Sequence, residues 1–178
     1  MRKLTQSYNH GASSVPLIGE TIGAHFDAAV ERWGDRDALI VRHQNLRWTY
    51  KQLKAAVDDF AAGLLALDLA PGERIGIWSQ NNAEWAVSQF ATAKAGLILV
   101  NINPAYRLTE LEYALNKVQC RALIISPSFK TSDYVAMVRD LAPEIDNAEP
   151  GQLKAEKLPH LRTVIRMGDE ATPGMYNL

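Results

Sequence analysis

Three polar side chains follow directly on the most apolar stretch of the sequence. Residues 97–102 (LILVNI) are almost wholly apolar, and Asn103, Tyr106 and Arg107 come just after them, around Pro104. Such a run predicts a buried strand of a parallel sheet, and ligands of open α/β proteins bind beyond the carboxyl ends of these strands. Asn103, Tyr106 and Arg107 are therefore candidates for a loop that faces a channel or a partner. The alternative is a rigid loop that only orients the following helix.

A second candidate is the asparagine-rich turn Gln80-Asn81-Asn82, which follows another predicted strand and opens a helix. Backbone N–H groups at a helix start can hold an anion, with help from the helix dipole. The same residue types are also the commonest helix caps, because an Asn side chain accepts a hydrogen bond from the first turn. We interpret this turn as a cap.

Motifs for phosphate binding and nucleophilic catalysis are absent from the sequence. It contains no G-x-x-x-x-G-K-S/T loop, no G-x-G-x-x-G and no G-x-S-x-G. The four histidines lack the close spacing of metal ligands: His10, His25, His43 and His160. Glu110 and Glu112 are interpreted as first-turn acids that the helix dipole favours. The residues alone therefore predict no catalytic, cofactor-binding or metal-binding side chain.

The balance of charges gives no general attraction to nucleic acid. The chain has 178 residues with 19 basic and 20 acidic side chains, for a net charge of −1. The four tryptophans have no basic stripe beside them, so we interpret them as core or boundary packing rather than a base-stacking platform. They are Trp33, Trp48, Trp78 and Trp85.

Cysteine content and hydropathy bear on location. Cys120 is the only cysteine and precedes an apolar run, which favours inert packing in a reducing compartment. No window approaches ~18 apolar residues, so no transmembrane segment is predicted. No secretory signal is visible near the first residues. A cytoplasmic location is the resulting expectation.

Apolar periodicity predicts alternating helices and strands after an extended arm at residues 1–20. Helices are predicted over residues 21–33, 49–69, 82–96, 109–118 and 131–142. Strands are predicted over residues 38–42, 45–48, 74–79, 97–102, 121–126 and 161–167, and residues 168–178 are predicted to be a loose tail. Capping boxes are expected at Thr49 with Gln52 and at Thr109 with Glu112. The pattern predicts an α/β fold, a mainly parallel sheet flanked by helices, with residues 21–178 as one subdomain.

Several motifs in order resemble the adenylate-forming enzymes, which include acyl-CoA synthetases, peptide-synthetase adenylation domains and luciferases. They are WTYKQL at 48–53, PGERIGI at 71–77, NAEW at 82–85, AKAG at 93–96, NINPAY at 101–106 and ELEY at 110–113. NINPAY followed by ELEY is the form typical of fatty-acyl-CoA synthetases. SYNHG at 7–11, FKT at 129–131 and PEIDNAEPG at 143–151 resemble the medium-chain subgroup, of the type of acyl-CoA synthetase family member two.

The resemblance implies the N-terminal lobe of an acyl-CoA synthetase-like fold. The parent would be an ATP-dependent medium-chain fatty-acid:CoA ligase that uses fatty acid, ATP, Mg²⁺ and CoA. The phosphate loop, the Mg²⁺-associated acid, the ribose-binding Asp and the catalytic Lys of such enzymes have no counterpart in this chain. The resemblance therefore implies a truncated chain that is inactive alone, binds none of these cofactors, and supplies scaffold and one channel wall at most.

Two other functions fit the same residues. One is a stand-alone, non-catalytic α/β binding or interaction module, and the other is a doubly wound nucleotide-binding domain unrelated to ligases. The missing glycine loop makes the nucleotide-binding domain the weakest of the three. A homo-oligomer is also expected, because unpaired strand edges invite pairing with another chain.

Overall fold

The computed structural model describes residues 11, 14–15 and 17–178, so most of the predicted arm at 1–20 lies outside the described residues. The helices of the described part are α1 (Ile22–Trp33), α2 (Tyr50–Leu65), α3 (Ala83–Lys94), α4 (Leu108–Lys117) and α5 (Tyr134–Leu141). Its strands are β1 (Asp37–Val41), β2 (Leu46–Thr49), β3 (Arg74–Trp78), β4 (Ile98–Ile102), β5 (Ala122–Ile125), β6 (Ser128–Phe129), β7 (Ser132–Asp133), β8 (Thr163–Arg166) and β9 (Tyr176–Asn177). The prediction of an α/β fold is confirmed.

One five-stranded sheet, in the order β4-β3-β5-β8-β9, organises the described chain. Every neighbouring pair in it is parallel. Strands β3, β5 and β8 are buried almost throughout, which is why their sequences are apolar on both faces. Two antiparallel pairs, β1 with β2 and β6 with β7, lie outside this sheet.

Helices cover the two faces of the sheet with separate hydrophobic cores. One core joins residues of α1, α2 and α3 to one side of the strands, including Phe26, Val57 and Ile77. The other joins residues of α4 and α5 to the opposite side, including Trp78, Leu111 and Tyr134. Successive side chains of a strand point to opposite faces, so Ile77 and Trp78 serve different cores.

The predicted cap at Thr49 is correct and the one at Thr109 is wrong. The Thr49 hydroxyl accepts from Gln52 N, and the Gln52 side chain accepts from Thr49 N at 2.9 Å, which is the predicted capping box. The expected cap at Thr109 is wrong, because α4 begins at Leu108. The Glu110 carboxylate accepts instead from Arg107 N at 3.1 Å, so the cap lies two residues closer to the preceding loop.

A cluster of four charged side chains links α1, α2 and α3. Lys94 Nζ donates to Asp27 Oδ1 at 2.8 Å, and Lys54 Nζ lies 3.3 Å from the same oxygen. Asp58 pairs with both lysines. The hydrogen bond from Lys94 lowers the pKa of Asp27, and the hydrogen bond to Asp58 raises the pKa of Lys54. These ion pairs link the three helices to one another.

Cys120 is a packed core residue, as the sequence indicated. Its Sγ accepts from Gly76 N at 3.1 Å and donates to the Ala122 carbonyl at 2.9 Å. Burial raises the pKa of the Cys120 thiol to about 12. Because the thiolate is the reactive form, this cysteine is inert at neutral pH.

The expectation of a loose tail at residues 168–178 is wrong. Strand β9 pairs with β8, and Leu178 N donates to the Arg166 carbonyl at 3.0 Å. Met175 is buried in the core of α4 and α5. This docking depends on contacts with distant residues, which periodicity within a short polar segment cannot reveal.

Candidate functional site

The loop that carries Asn103 lies at the carboxyl end of β4, where the sequence placed it. The Asn103 carbonyl accepts from Trp78 Nε1 at 3.1 Å and from Tyr106 N at 3.0 Å. Its side-chain Oδ1 accepts from Ala105 N at 2.9 Å. These bonds join the loop to the end of β3 and close it on itself. The backbone and the side-chain oxygen of Asn103 therefore fix the shape of the loop.

Tyr134 of α5 contacts both the Asn103 loop and Trp78 of β3. Its ring stacks on Trp78 with centroids 3.6 Å apart and planes 13° from parallel. Its hydroxyl donates to the Pro104 carbonyl at 2.5 Å. Tyr134 is fully buried, and burial raises the pKa of its phenol to about 12. The Trp78–Tyr134 pair is a rigid floor on which the Asn103 loop rests.

We expect Tyr134→Phe to lower the free energy of unfolding by about 1–3 kcal/mol, because the Pro104 carbonyl loses its donor. Wild type should lose stability relative to the variant as pH rises from 10 to about 12. The folded state favours the neutral phenol. The stabilisation from the phenol is therefore complete below its unfolded pKa and is lost as pH rises through its folded pKa. Urea titrations of both proteins across this range measure the difference. Parallel pH profiles would contradict the assignment.

The other two candidates take different positions. Arg107 Nη1 donates to Ser132 Oγ at 2.6 Å, which ties the loop to β7. Tyr106 packs half-buried against the core of α4 and α5 and lines an apolar groove beside β4. The three candidates thus share one loop, whose ends contact β3, β7 and α5. A ligand-facing role for Asn103, Tyr106 and Arg107 stays a prediction.

The turn at the start of α3 is a cap, as interpreted from the sequence. Asn82 Oδ1 accepts from Trp85 N at 2.9 Å, and Gln44 Oε1 accepts from Ala83 N at 2.7 Å. The Gln44 amide also donates to both oxygens of Glu84, at 3.1 and 2.8 Å. Side chains of the protein thus occupy donors that an anion would need, and the Glu84 carboxylate beside them repels one.

The described residues do not fit a metal ion or a nucleotide phosphate. Across residues 11, 14–15 and 17–178, no three His, Cys, Asp or Glu side chains come together as metal ligands. His25 has the Glu20 carboxylate as a neighbour, with 3.8 Å between Nδ1 and Oε1. The helix start best placed for phosphate, that of α3, is filled by Gln44 and Asn82. We derive no catalytic step from these residues.

Sequence reasoning missed one buried cation, Arg166 at the end of β8. Its guanidinium pairs with the Glu170 carboxylate and donates to the Glu170 carbonyl at 3.2 Å. Its Nε has no hydrogen-bond partner in the described part of the chain. Arg166 lines a cavity of about 350 Å³ together with Ser128 and Arg139. A lone arginine in an apolar strand has no spacing signal. Only the structure therefore reveals that Arg166 holds Glu170 of the loop after β8.

Solved structures share this arrangement of helices and strands. The anthranilate CoA ligase AuaEII, solved in complex with anthranoyl-AMP, aligns with 94% of the chain at a TM-score of 0.74 and 22% identity, and the chain covers 28% of it. Acetoacetyl-CoA synthetase from Streptomyces lividans aligns with 88% at a TM-score of 0.73 and 24% identity, with 24% of its length covered. The fold is therefore that of the N-terminal domains of adenylate-forming ligases.

The chain belongs to the AMP-binding enzyme family, whose model matches residues 26–175. It is similar to the mitochondrial medium-chain acyl-CoA ligase ACSF2 of Danio rerio, with 46% identity over 175 residues, 98% of the chain and 29% of that protein. Human ACSF2 is 44% identical over 168 residues, 94% of the chain and 27% of that protein. The putative acyl-CoA synthetase YngI of Bacillus subtilis is 39% identical over 161 residues, 90% of the chain and 29% of that protein.

The chain thus spans less than a third of the length of these relatives, and it matches their N-terminal part. Within the described residues, no helix has the length and hydropathy needed to cross a bilayer. The names of the vertebrate relatives include the word mitochondrial, which conflicts with a strictly cytoplasmic prediction for this chain.

Proposed function

We propose that this chain is the N-terminal part of an ATP-dependent medium-chain fatty-acid:CoA ligase. The observation that carries the proposal is 46% identity to a medium-chain acyl-CoA ligase over 98% of the chain. In the proposed reaction, a fatty-acid carboxylate attacks the α-phosphate of ATP, which gives acyl-AMP and pyrophosphate. The CoA thiol then attacks the acyl carbonyl and displaces AMP. Mg²⁺ offsets the charge that develops on the phosphates.

The contribution of this chain to that reaction is positional. Its described residues include no phosphate loop or metal cluster, so we expect it to be inactive alone and to bind ATP, Mg²⁺ and CoA only as part of a larger enzyme. We propose that the loop of Asn103, Tyr106 and Arg107 forms part of the wall of the acyl or CoA channel. The bonds from Trp78 and to Ser132 support this role, since a channel wall must keep its shape.

A chimera tests the proposed function. The chain would replace the aligned segment of the Danio rerio ligase, and the chimera would be assayed for octanoate-dependent ATP–pyrophosphate exchange and for acyl-CoA formation. We expect both activities, because the scaffold has to position the same catalytic parts in each protein. The matched control is the same chimera with Trp78→Ala, which should lower both activities, because it removes the stacking partner of Tyr134 and the hydrogen bond to the Asn103 carbonyl. A folded chimera without either activity would overturn the proposal.

The chain alone distinguishes the remaining alternatives. Isothermal calorimetry with ATP should give no heat of binding, whereas a doubly wound nucleotide-binding domain would bind. A stand-alone binding module predicts that the chimera is folded but inactive. We also propose that residues 21–178 form one subdomain, with residues 1–20 as a separate arm. Limited proteolysis that cuts first near residue 20 would support this division.

Location and self-association belong to the same proposal. The single, buried Cys120 suits a reducing compartment such as the cytoplasm. Because the vertebrate relatives are named mitochondrial, a fluorescent fusion in the source cell is needed to choose between the two locations. A homo-oligomer remains the expectation for the chain in solution.

A further inference from the structure

In the described part of the chain, strand β4 is an edge strand of the parallel sheet. Within residues 17–178 it pairs with β3 and with no second strand. Its sequence, ILVNI, contains no charge and no proline, and Ile98 is 51% exposed. Native sheets normally protect an edge with charged residues, proline, a bulge or a covering segment. The register of β4 on β3 is regular over all five residues, so no bulge deflects this edge.

An apolar groove of about 460 Å³ runs beside this edge, between β4 and α4. Val100 and Ile102 lie on one side of it, and Tyr113 of α4 lies on the other. Tyr113 is 67% exposed, although it is large and apolar over most of its ring. Ile98 shares a strand face with Val100 and Ile102, because alternate residues of a strand point the same way. The edge and the groove therefore make one continuous apolar surface.

Charges at the two ends of α4 show what fits this surface. Glu110 and Lys117 both line the groove and flank Tyr113 by three and four residues, so the three side chains share a helix face. Lys117 has no carboxylate within ion-pair distance in the described part of the chain, and Glu110 binds only Arg107 N. A copy of the same surface, turned end to end, places opposite charges together at both ends.

We propose that β4 and this groove bind a second copy of the chain, with the two β4 strands antiparallel about a two-fold axis near Val100. The sheets of the two copies then continue into one another, and each Tyr113 packs against the partner's Tyr113. Glu110 faces the partner's Lys117, and this contact occurs twice because the interface is isologous. The net charge of −1 gives little long-range repulsion between copies. This inference does not depend on the proposed enzymatic function.

Ile98→Lys tests the edge, with Ile40→Lys as its matched control. Both isoleucines lie on strands and are about half exposed, at 51% and 50%, but Ile40 belongs to β1, outside the parallel sheet. Sedimentation equilibrium should show a monomer–dimer equilibrium for wild type. Ile98→Lys should raise the dimer Kd by about tenfold or more, since it buries a charge at the edge, and Ile40→Lys should leave the Kd unchanged. Circular dichroism confirms that both variants are folded.

Lys117→Glu tests the charge pairing, with Lys154→Glu as a control that changes the net charge equally. Lys154 is exposed and does not line the groove. We expect Lys117→Glu to raise the dimer Kd several-fold at low salt and less at high salt, because salt screens the contact. Equal effects of the two variants would remove the predicted pairing of Glu110 with the partner's Lys117.

A cysteine at the axis tests the arrangement itself. In Val100→Cys the two introduced thiols would face each other across the antiparallel pair, where opposite Cβ atoms lie about 4.5–5.5 Å apart. Mild oxidation should give a covalent dimer, whereas wild type and Ile40→Cys should give none, since Cys120 is buried. A wild-type chain that stays monomeric at high concentration, or a dimer that Ile98→Lys does not weaken, would overturn the proposal.

Discussion

Trp78→Ala should lower the free energy of unfolding by about 3–5 kcal/mol, the cost of removing a fully buried large aromatic side chain. Trp78 has no exposed surface and is the last residue of β3, which pairs with β4 on one side and β5 on the other. The variant would lose the stacking on Tyr134 and the hydrogen bond to the Asn103 carbonyl. Because domains of this size are stable by only about 5–15 kcal/mol, this substitution removes a large fraction of the free energy of unfolding.

Two further variants separate the causes of this loss. Trp78→Phe keeps an aromatic ring against Tyr134 but removes the Nε1 donor, so we expect an intermediate cost. Trp33→Ala is the control, since Trp33 is 36% exposed at the end of α1 and its ring centroid lies 6.2 Å from that of Tyr50. It should cost about 1 kcal/mol or less. Urea unfolding followed by far-UV circular dichroism measures all three. Equal costs for Trp78→Ala and Trp33→Ala would show that the stacked pair does not anchor the core.

The central sheet could be predicted from sequence because its strands are buried on both faces. Residues 75–78 and 122–125 are apolar or small without interruption, and helix-period segments separate them along the chain. That combination has few physical solutions other than parallel strands with crossover helices. Local caps were also predictable where the donor and acceptor lie three residues apart, as in Thr49 with Gln52.

Features that depend on distant partners could not be predicted in this way. Strand β9 has only two residues, and its pairing with β8 requires the loop of residues 167–175 to fold back first. At the candidate site, the position of Asn103 after β4 was predictable. The contacts that hold its loop were not, because Trp78 and Tyr134 lie 25 residues or more from it along the chain. No spacing in the sequence identifies Tyr134 as the support of that loop.

Of the Gly→Ala substitutions in the described chain, Gly174→Ala should be the most destabilising. Gly174 has a φ of +70°, and a Cβ added there would lie 2.0 Å from the Ile145 carbonyl oxygen. The left-handed conformation alone costs a non-glycine residue about 1–2 kcal/mol. The clash adds about 1–3 kcal/mol, since the obstacle is backbone that cannot rotate away. Ile145 is fully buried, so relief of the clash must come from movement of the segment that carries Met175 and β9.

Gly72→Ala isolates the conformational part of this cost. Gly72 has a φ of +83°, but no heavy atom lies within 4 Å of the added Cβ. We expect it to lose only the 1–2 kcal/mol of backbone strain. Urea unfolding gives the global difference between the two variants, and hydrogen exchange gives the local one, as faster exchange at Leu178 N, which β8 protects in wild type. If both variants lost the same free energy, the loop before β9 would be free to shift away from Ile145. The docking of β9 would then depend on its hydrogen bonds to β8 and not on this close backbone contact.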